Sequence, residues 1–176
     1  MEIKKILENT SNFVTKRLIE LFGTLILILS IFLLISLLSY SGNDQPLIFE
    51  DNPVVENILG QKGSFISDLF FQSIGLISLL SAITFFITGI NIFRTKKLIL
   101  ILKNPFYLIA YVILGSLFFA VYYPESFLLN IHGNGGFVGK QLSETFLISF
   151  VNINKQISYY LLTISIVILF LISINL

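Results

Sequence analysis

Residues 21–40 read LFGTLILILSIFLLISLLSY and contain no charged side chain. A helix needs ~20 apolar residues to cross ~30 Å of hydrocarbon. The run is apolar on every side, whereas the core helix of a soluble protein keeps a polar stripe at the 3.6-residue period. Similar runs recur at 69–93, 105–123 and 157–176, with Glu20 and Asp68 only at their edges. Strands of a membrane barrel would alternate polar and apolar over ~10 residues, and these runs do not. The expected fold is therefore all-α and polytopic, with four transmembrane helices and short interfacial helices.

Composition agrees. The chain has 176 residues, of which 55% are hydrophobic and 12% charged, with a formal net charge of +1. Soluble proteins carry about 25% charged residues. Near-neutrality gives no basic stripe for direct nucleic-acid binding. Cysteine is absent, which removes disulfides and thiolate metal sites, and His132 is the sole histidine. No metal site and no cofactor are expected.

The first run is longer than the 7–15 residues of a secretory signal, and no A-x-A-like cleavage site follows it at SYSGND. Before it, Ile3, Ile6, Leu7, Phe13 and Val14 sit near helical spacing among lysines and Glu8. Residues 1–18 are thus expected to be an interfacial segment leading into a membrane domain at 19–176.

Orientation follows from Lys and Arg in short flanking segments, because basic loops stay cytoplasmic. Lys4, Lys5, Lys16 and Arg17 precede the first run, and Arg94, Lys96, Lys97 and Lys103 link the second to the third. The other two connections hold Lys62, Lys140 and Lys155 but most of the acids: Asp44, Glu50, Asp51, Glu56, Asp68, Glu125 and Glu144. With both termini in the cytoplasm, both basic clusters fall inside. Tyr40, Tyr107, Tyr122, Tyr123, Tyr159 and Tyr160 stand at the run ends, where amphipathic rings favour the headgroup level.

One glycine-rich stretch, IHGNGGFVGKQL at 131–142, resembles a phosphate-binding loop at Gly139-Lys140. The first glycine of that motif would have to stand at Asn134, and the hydroxyl position is Gln141. A P-loop also follows a buried strand, and here a membrane helix precedes. Gly60, Gly63, Gly133, Gly135, Gly136 and Gly139 are read as structural turns near the membrane surface, where glycine takes φ > 0 freely. NILGQKGSFISDLF matches NGGFVGKQLSETF loosely as an internal repeat, with Gly63 and Gly136 each six residues before a leucine. Gly75, Ser78, Ala82 and Gly89 share a narrow helical sector and form a candidate packing face, since small residues let membrane helices approach.

The order of several of these stretches resembles the N-terminal four-helix membrane domain of the FtsK/SpoIIIE DNA translocases. The residues that carry the resemblance are LLSYSGND, NILGQKGSFISDLFFQSIG, GINIFRTKK and GGFVG, in order from Leu18 to Leu176. The chain differs at Gly42, where the family often has proline, and at the polar break NINKQ. That break leaves 142–151 either a separate interfacial helix or part of a bent fourth span. The resemblance implies an anchor in the bacterial inner membrane, enriched at the division septum, that assembles with itself and with other division proteins and tethers a cytoplasmic DNA motor. This stretch has no complete Walker A, so no catalysis is expected of it, and its end at FLISINL suggests a fragment cut at the membrane boundary. The alternative is a small transporter or channel subunit. Such proteins commonly place Asp, Glu, Lys, Arg or His inside their spans, and these runs have none centrally. An intramembrane enzyme would need a Ser/His or Asp pair at depth, which is also missing.

The absence of native cysteine makes topology directly testable. An impermeant thiol reagent should label Asn43→Cys and Asn134→Cys in intact spheroplasts and Thr95→Cys only after lysis. Labelling of Thr95→Cys in intact spheroplasts would contradict the four-span arrangement.

Overall fold

The computed structural model describes residues 2–44, 55–97, 99–125, 129 and 131–174. Glu50 and Asp51 fall outside them. Among the described residues the chain is helical throughout, with α1 (Glu2–Leu38), α2 (Gly60–Ile74), α3 (Ser78–Thr95), α4 (Ile99–Tyr122), α5 (Gly136–Ser143), α6 (Leu147–Ile153) and α7 (Lys155–Ser173). Four stretches are long and apolar enough to cross a membrane: Thr10–Leu38, Gly60–Thr95, Lys103–Tyr122 and Lys155–Ser173. The protein is a polytopic all-α membrane protein.

The helices depart from the apolar runs in informative ways. α1 continues without a break through residue 18, so the leading segment and the first span are one helix of 37 residues. At a 1.5 Å rise this is about 55 Å, well beyond the bilayer core. The second run does not form one helix over 69–93. Gly75 takes φ 72°, ψ −152° and ends α2, and a single 3-10 turn, Gly75–Ile77, leads into α3. α3 has 18 residues, about 27 Å, enough for one crossing by itself. Residues 142–151 run from the end of α5 through a turn at 144–146 into α6, and the extended Asn154 (φ −149°, ψ 95°) separates them from α7. The Asn154 side chain accepts a hydrogen bond from the Ile157 N–H at 3.0 Å and so caps α7.

Two helical hairpins make the membrane domain. α1 packs along α3, and α4 along α7. α3 also meets α4, and it meets the end of α7, where Thr84 Oγ1 and Ser173 Oγ are 3.4 Å apart and the Asn91 amide donates to the Ile174 carbonyl at 3.3 Å, but among the described residues α1 touches neither α4 nor α7. α3, α4 and α7 therefore form a three-helix cluster, and α1 lies outside it against α3, so the four spans do not close into a bundle.

The α1–α3 seam is held by missing side chains. A Cβ on Gly23 would lie 2.8 Å from the Phe93 nitrogen, and one on Gly89 would lie 2.8 Å from the Leu27 nitrogen. In lipid the hydrophobic effect does not drive helices together, so this close approach carries the association through van der Waals contact. Ala82 is fully buried in the adjoining cluster with Leu37, Phe71 and Leu129. At the end where both helices meet the basic segments, the Glu20 carboxylate accepts from Arg17 and Lys96, each at 2.6 Å.

Polar bonds join the hairpins across α3 and α4. Thr84 Oγ1 and Tyr111 Oη are 2.8 Å apart, and the Asn104 amide donates to Thr88 Oγ1 at 2.9 Å. Ser78, Ser81, Thr84, Thr88 and Asn91 recur every three or four residues, so one face of α3 carries them all. Ala82→Leu and Gly89→Leu should each lower unfolding stability in detergent by about 1–3 kcal/mol, the usual cost of overpacking. Unchanged midpoints for both would show that this face does not pack within the monomer.

Candidate functional site: the glycine junction at the outward ends

Opposite the basic segments, the loops fold back over the helix ends. α2 begins beside α1, where Ser36 Oγ donates to the Gly63 carbonyl, and finishes beside α4, where Ser116 Oγ donates to the Ile74 carbonyl at 2.9 Å. α1 and α4 flank α3, so α2 lies across the end of α3 and joins the two hairpins.

The first span of each hairpin ends on an asparagine amide. Asn57 Nδ2 donates to the Ser36 and Ser39 carbonyls at 2.9 and 3.1 Å, and its Oδ1 accepts from the Leu59 N–H at 3.0 Å. Asn134 Nδ2 donates to the Tyr123 and Glu125 carbonyls at 2.9 and 2.7 Å. The last carbonyls of a helix have no partner within it, so a side-chain amide here satisfies groups that would otherwise be costly near the membrane. Asp44 adds a clamp in the first half, its two carboxylate oxygens accepting from the Glu56 and Asn57 N–H groups at 2.9 Å each. Glu56 in turn accepts from the Ser41 hydroxyl at 2.6 Å and the Asn43 amide at 3.4 Å. The Ser41 bond first, then that from Asn43, holds the Glu56 carboxyl below the ordinary carboxylate range.

The glycines divide by role. At Gly75 and Gly136, φ is 72° and 64°, which an L side chain rarely adopts. A Cβ on Gly75 would collide with the Asn134 carbonyl, and one on Gly136 with the backbone of Gly75 and Ile74. The Asn134 carbonyl instead accepts the Leu76 N–H at 2.9 Å, a backbone bond between the two halves. Gly60 and Gly133 also have positive φ. Gly135 caps α5 at φ −83° and lies against Ser116 and Ala120. Gly63 and Gly139, expected at turns, lie within α2 and α5, where they bring backbone close to Asn57 and Ser116. Of the small-residue face, Gly75 belongs to the junction, Ser78 and Ala82 are buried, and Gly89 meets α1.

The repeat has a different register from the leucine-based one. Gly60 and Gly136 each have positive φ and open a returning helix. Placing them together aligns Gly60, Gly63, Ser67, Asp68 and Phe70 with Gly136, Gly139, Ser143, Glu144 and Phe146. Sequence reasoning missed Asn57, Asn134 and Ser116, and the repeated G-x-x-G-x-x-x-S-[D/E]-x-F pattern holds none of them, since Asn57 stands three residues before Gly60 and Asn134 two before Gly136. Lys140 is exposed, and His132 packs edge-on against Phe137 with ring centroids 5.7 Å apart. Among the described residues no group of His, Cys, Asp or Glu is placed to hold a metal.

The family described as the 4TM region of DNA translocase FtsK/SpoIIIE matches residues 15–176. The chain belongs to that family. The match covers all four spans of the FtsK/SpoIIIE domain beyond the first turns of α1, together with the junction. No curated protein and no solved structure matches the chain.

Asn57→Ala and Asn134→Ala should each destabilise the FtsK/SpoIIIE domain by about 1–3 kcal/mol, because each strands helix-end carbonyls. Gly136→Val should impair folding, while Lys140→Ala should leave expression and melting unchanged; the reverse pattern would restore the phosphate-loop reading. A depressed folded-state pKa means that Glu56 contributes stability above its unfolded pKa and loses it as pH falls through the folded value. Acid titration of the melting temperature should therefore be flatter for Glu56→Gln than for wild type. Parallel curves would contradict that role.

Proposed function

We propose that this chain is the membrane anchor and septum-targeting and assembly domain of an FtsK-like DNA translocase, serving cell division and chromosome segregation. The observation that carries the reading is the family match over 15–176 on a chain with four membrane-length helices. Its two basic clusters share one end of the helices, as the Glu20 to Lys96 bond attests, which supports placing both termini in the cytoplasm of a bacterial inner-membrane protein. An ATP-dependent motor would then lie in a further C-terminal region on the same side. The domain itself performs no catalysis and reads no nucleic acid.

The polar seam between α3 and α4 favours an anchor over a transporter. Its hydroxyls and amides pair with one another at Thr84–Tyr111 and Asn104–Thr88, and none of these residues is a carboxylate, lysine, arginine or histidine. Pathways for ions or protons use such charged groups at depth. In this reading the outward junction and the open faces of α1 and α7 are available to other copies and to division proteins. A fluorescent fusion of residues 1–176 should concentrate at the septum of dividing cells without an attached motor. Even distribution around the envelope would remove the targeting role.

A further inference from the structure

We infer that the basic end of α1, α3 and α4 is a binding site for the phosphate headgroup of an anionic phospholipid. Only the leaflet assigned to this lipid rests on the proposed orientation. Among the side chains described at this end Glu20 is the sole carboxylate, and it is committed to Arg17 and Lys96, while Glu2 and Glu8 precede it by three turns or more of α1. Lys16, Arg94, Lys97 and Lys103 are exposed and form no ion pair among the described residues. Three helices bring them together. Lys16 precedes Glu20 by one turn of α1, Arg94 and Lys97 flank the Lys96 that binds Glu20, and Lys103 adjoins the Asn104 that bonds Thr88 of α3.

Like charges gathered at one end of the helices repel one another, and a bound anion relieves that repulsion. The surrounding surface selects an amphiphile over a soluble anion. Phe22, Phe93 and Phe106, at 43%, 50% and 70% exposure, stand on the same three helices one to two turns from the cations and offer apolar walls to acyl chains. Basic pockets between membrane helices bind lipid headgroups by this combination.

The test uses the 176-residue chain purified in zwitterionic detergent, with retained lipid counted by native mass spectrometry during titration with phosphatidylglycerol or phosphatidylcholine. Phosphatidylglycerol should bind in preference. The triple variant Arg94→Gln, Lys97→Gln, Lys103→Gln should weaken its binding by about 100-fold, from about fivefold per cation. The control triple Lys62→Gln, Lys140→Gln, Lys155→Gln, at the other end, should bind as wild type does. Inorganic phosphate at equal concentration should not displace the lipid. Equal retention of phosphatidylcholine, equal loss in the control, unchanged binding in the first triple, or displacement by inorganic phosphate would each overturn the proposal. Detergent has no sidedness, so this result is independent of the thiol-labelling result that decides orientation.

Discussion

The structure depends on one close approach of backbone to backbone, where the Gly75 turn meets the Asn134 carbonyl and the Gly136 turn. Any side chain at Gly75 or Gly136 would occupy the space the other strand fills. Because they are bare, α2 can end at Gly75 and α3 can turn away from it, and the Leu76 N–H can reach across to the second half. From this contact follow the position of α2 across the end of α3, the seating of Ser116 on Ile74, and the course of α5 beside α4.

Away from the junction, two kinds of force share the work. Within the first hairpin, Gly23 and Gly89 let α1 and α3 pack closely, and dispersion acts along their length. Between the hairpins, hydroxyl and amide pairs at Thr84–Tyr111 and Thr88–Asn104 hold α3 to α4. Such bonds within membranes average well under 2 kcal/mol each, because the unpaired groups also find partners in the alternative states. The hairpins are thus two firm units joined by a seam of modest strength and by the junction. Asn57 and Asn134 bond the carbonyls at and just past the ends of α1 and α4 that lie opposite the basic segments.

Much of this was legible in the residues. Uncharged runs such as 21–40 revealed the spans, because a charge in hydrocarbon is too costly to hide. The break at Gly75 was not legible, since Leu69–Phe93 carries no charge anywhere and a glycine inside a membrane helix is ordinary. Only the conformation separates a tolerated glycine from one that ends a helix. Among the site residues, the glycine cluster at 133–139 was visible as composition, but its purpose was not. Gly136 is required by its φ of 64° and by Gly75, which lies far away in sequence. Asn57 and Asn134 looked like ordinary loop residues, because the carbonyls they serve belong to a preceding helix whose end the sequence fixes only to within a few residues. The small-residue sector was visible, yet whether it faced the monomer or another copy depended on α1, which the sector itself does not describe.

The placement of α1 against α3 alone, apart from α4 and α7, is the central claim, and a single distance tests it. Spin labels at Leu38→Cys in α1 and Leu161→Cys in α7, both exposed positions on a chain without cysteine, report the separation of these two spans near the junction. Helices in contact lie 8–10 Å apart, so α1 and α7 on either side of α3 lie roughly 16–20 Å apart, and in a closed bundle about 8–14 Å. A distribution centred beyond about 16 Å in reconstituted bilayers is the predicted result. One centred below about 15 Å at protein dilutions that exclude contacts between copies would contradict the arrangement.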